Sequence, residues 1–188
     1  ALGLGVPLGI IAGYFGGWWD RVISRLIEIW MAFPPVLFAV LLVAVMGTGL
    51  TSVIVAIALI DWTRFARVIR AETMVQAQMD YVDSAQIGGA RRLTTLVSEI
   101  LPNVLPSIVA LLMLEMGIAV IVEAILSFVN LSLSSDVATW GSMIAEGRNA
   151  IHFAWWVLLF PLIALFLTVL SFSQLGEGLK QRFDPVLQ

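Results

Sequence analysis

Five long apolar runs separated by short polar connectors organise this chain. They extend from Ala1 to about Phe15, about Leu26 to Met46, about Leu50 to Ile69, about Val104 to Val129 and about Ala154 to Leu175. A helix that crosses a bilayer needs roughly 20 predominantly apolar residues. The first run is shorter, begins without a charged flank and lacks the positive start of a signal peptide. It reads as the end of a helix whose beginning lies outside the sequence, and the chain as a piece of a longer protein. The pattern predicts an all-α integral membrane domain over 1–188 with about five transmembrane segments, the first partial.

The connectors set an orientation. Arg21 and Arg25 follow the first run, and Arg64, Arg67, Arg70, Arg91 and Arg92 fall between the third and fourth. Lys180 and Arg182 lie in the tail. If each run crosses once, all of these share one face. The other face has the Gly47-Thr48-Gly49 turn and the 130–153 loop, with Arg148 alone. Basic residues concentrate on the cytoplasmic side of membrane proteins, so that face and the C-terminus are expected in the cytoplasm, and 130–153 outside. Most of the tryptophans, Trp155 and Trp156 above all, fall near segment ends, where an apolar ring with one N–H donor suits the headgroup region. Gly5, Gly9 and Gly13 recur every four residues, a spacing that lets two helices approach closely in lipid.

Composition agrees with immersion in lipid. The chain is 60% hydrophobic and 12% charged, against about 25% charged residues in soluble domains. A formal net charge of -3 gives no reason to invoke nucleic acid. With no cysteine and one histidine, His152, thiolate chemistry and a histidine-rich metal site are excluded. The sequence contains no G-x-x-x-x-G-K-[ST], H-E-x-x-H or G-x-S-x-G motif. No catalytic residue, metal site or cofactor is expected in this chain. Glu28, Asp61, Glu115 and Glu123 lie in or near apolar runs, where acids normally face protein or water. Glu28 and Asp61 sit beside arginines or a segment end and read as packing residues. Two readings stand for Glu115 and Glu123: lining of a translocation path, or pairing between helices.

The segment Tyr81-Val82-Asp83-Ser84-Ala85-Gln86-Ile87-Gly88-Gly89-Ala90-Arg91-Arg92, closed by Leu101-Pro102-Asn103, is polar and glycine-bearing in an otherwise apolar chain. It is the natural place for a soluble partner to dock. It resembles the cytoplasmic motif of permease subunits of ATP-binding-cassette importers, which reads E-A-A, three residues, G, nine residues, I, one residue, L-P. Here the register is Asp83-Ser84-Ala85, Gly89 and Leu101-Pro102, with Asp83 for Glu, Ser84 for Ala and Glu99 at the Ile position. Further stretches are similar to the dipeptide, oligopeptide and nickel branch, in its second, C-type subunit. Among them are Met31-Ala32-Phe33-Pro34-Pro35, Val122-Glu123-Ala124-Ile125-Leu126-Ser127-Phe128, Thr139 to Arg148, and Asp184-Pro185.

The resemblance implies a type I importer transmembrane domain in a bacterial or archaeal cytoplasmic membrane. Its expected partners are a second permease subunit, two ATPase subunits that hydrolyse ATP, and an external solute-binding protein. The 81–102 coupling loop would place a short helix over Asp83–Ile87 in a groove of an ATPase, through Asp83, Ser84, Ala85, Gln86, Gly88, Gly89, Leu101 and Pro102. Gly88-Gly89 would permit the turn, and Pro102 would begin the next spanning helix. Trp140, Glu146 and Arg148 would serve binding-protein docking and gating. The solutes implied are peptides, nickel chelates or oligosaccharides. The competing reading is an ion-coupled secondary transporter or channel using Glu115 and Glu123.

Overall fold

The computed structural model describes residues 1–129, 131 and 137–183, and the side chains of these except Phe183. Asp184-Pro185 and part of the 130–153 loop lie outside the described residues. The helices are α1 (Leu2–Phe15), α2 (Gly17–Met31), α3 (Pro35–Met46), α4 (Leu50–Gln76), α5 (Asp80–Ile87), α6 (Arg92–Thr95), α7 (Leu101–Phe128), α8 (Trp140–Asn149) and α9 (Trp156–Phe183). A π-helical turn, Leu96–Ile100, joins α6 to α7.

Among the described residues two stretches, Arg92–Phe128 and Trp156–Arg182, are each long and apolar enough to cross a membrane; α2 and α3 qualify only if taken together as a third. The expected span from Leu26 to Met46 is broken: α2 ends at Met31, and Pro34 sits extended (φ -61°, ψ 122°) before α3 begins at Pro35. Pro35 itself suits a first helical turn, where no N–H is needed. The residue before a proline is biased towards extended backbone, so the Pro34-Pro35 pair stops one helix and starts another.

The fourth run is also corrected. Its helix begins at Arg92, ahead of Pro102, and runs without a break to Phe128. Pro102 brings no N–H and its ring crowds the carbonyl four residues back. The preceding turn is widened, with the Leu101 N–H donating to the Leu96 carbonyl, and the helix passes through the proline.

The chain packs as two compact units, each assembled from separate stretches. The first comprises Ala1–Ala32, Asp61–Leu112 and the part from Gly176. Phe65, Ile69, Val82, Ile100, Val104 and Ile108 form its main core, with Ala12, Ile23, Ile27, Trp62 and Ala66 as a second cluster. Trp62 is buried and meets Trp30 edge-on at 5.9 Å between ring centroids, so it is a core residue rather than an interfacial anchor.

The α1 glycines make this packing possible. A Cβ on Gly5 would collide with the Trp62 carbonyl oxygen. On Gly9 or Gly13 it would stand 2.7 Å from the carbonyl oxygens of Ala66 and Arg70 respectively. Lipid tails are as apolar as Leu, so helix association in lipid rests on such close contact rather than on expelling water. At the end of this helix pair Asp20 accepts hydrogen bonds from Nε of Arg70 and, at 2.8 Å, from its Nη2. The Arg70 guanidinium holds the Asp20 carboxyl below the usual carboxylate range, and the carboxylate in turn raises Arg70.

The second unit comprises Phe33–Ile60 and Met113–Leu175. Ala39, Val43, Val53, Ala56, Ile60 and Leu126 form its core.

Candidate functional site

The polar segment between α4 and α7 folds as α5, which begins at Asp80 rather than at Asp83. Asp80 and Asp83 occupy its first turn, where the helix macrodipole favours a carboxylate. Val82 is fully buried in the core of the first unit and Tyr81 packs beside it. The Tyr81 hydroxyl donates to Gln76 Oε1 at 2.7 Å. Burial pushes its phenol up, offset in part by a hydrogen bond with Asn103. Asn103 Nδ2 also donates to the Glu99 carbonyl at 2.7 Å. One face of α5 is thus tied to α4 and to the first turns of the helix that follows.

The other face is open. Asp83, Ser84, Gln86 and Gly88 are exposed, Ala85 is half-buried, and Ile87 is 88% exposed. The helix ends through N–H groups of Gly88, Gly89 and Ala90 donating to the carbonyls of Ser84, Gln86 and Ala85 at 3.0 Å. Gly89 has φ +87°, a backbone conformation that glycine adopts at little cost and L side chains rarely enter. Beneath this turn Gln86 and Arg92 line a polar cleft of about 240 Å³ with Tyr14, Phe15 and Ala77. The Tyr14 hydroxyl donates to the Arg92 carbonyl at 3.0 Å, fixing the end of α1 to the start of α6. Leu101 is half-buried and Pro102 exposed, both in the first turn of α7. They stand apart from α5 along the chain yet share its supporting helix.

The expected outer loop contains a helix, α8, that its polar composition obscured. Thr139 and Ser142 form a reciprocal capping box at its start, a Thr-x-x-Ser pattern visible in the sequence. Gly141 lies against α7, where a Cβ would collide with the Ala124 carbonyl oxygen, and Gly147 against the backbone of Leu158 in α9, which a Cβ would meet at 2.7 Å. Trp140 is half-buried, while Glu146 and Arg148 are exposed. The Arg148 guanidinium lies 5.5 Å from the centroid of the Phe128 ring, a distance that suits cation–π attraction.

Glu115 is buried and Glu123 half-buried on α7. Thr139 Oγ1 donates to Ser127 Oγ at 2.9 Å, and Ser127 Oγ donates to Glu123 Oε1 at 2.6 Å. Glu123 therefore holds the cap of α8 through one hydroxyl, a connection that joins two of the expected site regions. Glu28 pairs with Arg25 at 3.0 Å, and Asp61 is buried. Among the described residues there is no group of three or more His, Cys, Asp and Glu side chains placed to hold a metal ion.

The family model described as "Binding-protein-dependent transport system inner membrane component" matches residues 5–187. The protein of Pectobacterium atrosepticum called glutathione transport system permease protein GsiD is 41% identical over 185 residues, covering 98% of this chain and 62% of that protein. Proteins of the same name from Shigella dysenteriae and Escherichia coli are each 40% identical, covering 98% of this chain and 61% of theirs. The chain thus spans about three fifths of the length of these relatives.

Proposed function

The chain belongs to the family of inner membrane components of binding-protein-dependent transport systems, and from this premise we propose that it is a transmembrane subunit of an ATP-driven importer whose α5 docks on an ATPase. The observation that carries the proposal is the two-sided build of α5. Val82 and Tyr81 anchor one face, while Asp83, Ser84, Gln86 and Ile87 stand open beside a turn that depends on Gly89. A helix held this way transmits a push as a rigid body. Its anchor residues connect it to α4 and to the Arg92–Phe128 helix, and the movement of those helices would alternate access to the two sides of the membrane.

The remaining parts follow from the same reading. A second permease subunit completes the pathway, two ATPase subunits close on ATP, and an external binding protein delivers the solute to the face carrying α8, with Trp140, Glu146 and Arg148 as the contact and gate. The C-terminus lies in the cytoplasm, with Lys180 and Arg182 in the last turn of α9 matching the bias of basic residues to that side. The names of the relatives favour glutathione or a similar short peptide as solute. Family membership favours this reading over ion coupling through Glu115 and Glu123. Glu123 would line the path on the side of α8 and Glu115 two turns away.

The test is a pull-down of the full-length protein in mild detergent, with mass spectrometry and an ATPase assay. Recovery of a second permease and ATPase subunits, with hydrolysis stimulated by a binding protein, is the expected result. A homomeric protein without ATPase activity would overturn the proposal.

A further inference from the structure

The α2 helix carries two faces of different kinds. On one, Ile23 and Ile27 are buried with Ala12, Trp62 and Ala66. On the other, Trp18, Leu26 and Ile29 are 62%, 52% and 57% exposed. Water is a poor environment for three such side chains on one short helix. The hydrocarbon centre is equally poor, because Asp20, Arg21, Arg25 and Glu28 all belong to the same helix and each charge there costs about 2.5–3.5 kcal/mol on insertion scales. The zone that accommodates both is the boundary between headgroups and acyl chains, where helices with a basic polar face and Trp or Leu beside it settle.

The charges on this helix are unevenly matched. Asp20 is engaged by Arg70. Arg25 has Glu28 at 3.0 Å, an exposed pair of the kind that contributes little. Arg21 donates its Nε to the Gly17 carbonyl at 3.3 Å and forms no ion pair among the described residues. Arg21 and Arg25 are four residues apart, neighbours on the helix surface, where like charges repel unless an anion lies between them. Trp18, Arg21, Val22, Arg25 and Leu26 together line an open groove of about 440 Å³. An anion with apolar chains attached meets both demands of this groove: a phosphate between two guanidiniums, and a glycerol and acyl region against indole and isobutyl groups.

We propose that the Trp18–Leu26 face of α2 binds an anionic phospholipid of the membrane, with Arg21 and Arg25 holding the headgroup phosphate and Trp18 and Leu26 covering the start of its chains. This goes beyond the importer reading and gives the helix that follows α1 a fixed depth at the cytoplasmic surface.

The test is lipid retention by the full-length protein, measured by native mass spectrometry after reconstitution and gentle extraction. The protein is reconstituted in phosphatidylcholine vesicles with about one part in four phosphatidylglycerol, in phosphatidylcholine alone, and in phosphatidylcholine with inorganic phosphate added. The wild type should retain phosphatidylglycerol in preference to phosphatidylcholine. The double variant Arg21→Gln and Arg25→Gln should lose about tenfold or more of that preference, the scale expected for two arginines near an anionic surface. The variant Arg21→Lys and Arg25→Lys should keep most of it and controls for folding. Equal retention by wild type and the Gln variant overturns the proposal. So does a phosphate adduct that forms in phosphatidylcholine without phosphatidylglycerol and disappears in the Gln variant, since that is a free-anion site. The readout needs neither transport nor an ATPase, so it fails or succeeds apart from the importer reading.

Discussion

Gly9→Ala places one methyl group where α1 meets α4. The new Cβ would lie 2.7 Å from the Ala66 carbonyl oxygen and 3.1 Å from both the Arg70 nitrogen and the Ile69 Cβ. A backbone oxygen cannot rotate away, so the helices must separate. Forced overpacking of this kind costs about 1–3 kcal/mol. Against it stands the gain from replacing glycine in a helix, about 0.8–1.0 kcal/mol. The balance is a net loss of up to about 2 kcal/mol. A Cβ on Gly3, in the same helix, would have no neighbour within 4 Å, so Gly3→Ala keeps only the favourable part. The two substitutions should shift thermal stability in opposite directions, read by the loss of the monodisperse peak of the full-length protein in detergent after heating. Gly9→Ala melting at or above wild type, or Gly3→Ala falling with it, would refute the packing argument.

Three further outcomes follow from individual side chains. Asp20→Asn should lower stability by about 1 kcal/mol at neutral pH, because the pair is charge-assisted and only partly exposed. The folded carboxyl titrates below its ordinary value, so this difference should hold above the ordinary value of about 3.9 and shrink as pH falls below it; a difference that instead grows on acidification would contradict the ion pair. Thr73 Oγ1 is buried without a hydrogen-bond partner, so Thr73→Val should raise the melting temperature, by the equivalent of about 1 kcal/mol, and a clear drop would show that the hydroxyl is engaged. Gly89→Ala meets open space but costs about 1–2 kcal/mol in a left-handed backbone; it should impair ATP-driven uptake while membrane insertion stays intact, and undiminished uptake would remove the turn from the mechanism.

The parts legible in the sequence were those written locally. Apolar runs gave helices in all five places, and the spacing from Asp83 to Gly89 marked α5 and its terminating turn. The glycine repeat in α1 marked a close helix contact. Features that depend on partners distant in sequence were hidden. Asp20 and Arg70 meet across 50 residues, and Ser127 reaches Thr139 only because Gly141 admits α8 against α7. Hydropathy also ran smoothly through Phe33-Pro34, where backbone geometry interrupts the helix. It masked the start of the fourth helix at Arg92 as well, because its first turns are polar. The place of Trp62 was hidden for a related reason: tryptophan is favoured both at interfaces and in packed aromatic pairs, and only Trp30 at 5.9 Å decides which.

The central claim is that the open face of α5 meets an ATPase on the cytoplasmic side. These 188 residues contain no cysteine, so in a transporter freed of any other cysteines Gln86→Cys introduces one thiol on that face. In membranes from cells carrying the whole transporter, this thiol should cross-link to an ATPase subunit and resist a membrane-impermeant maleimide added outside intact cells. Labelling from outside, or a thiol that is reactive from inside yet never captures an ATPase, would contradict the account.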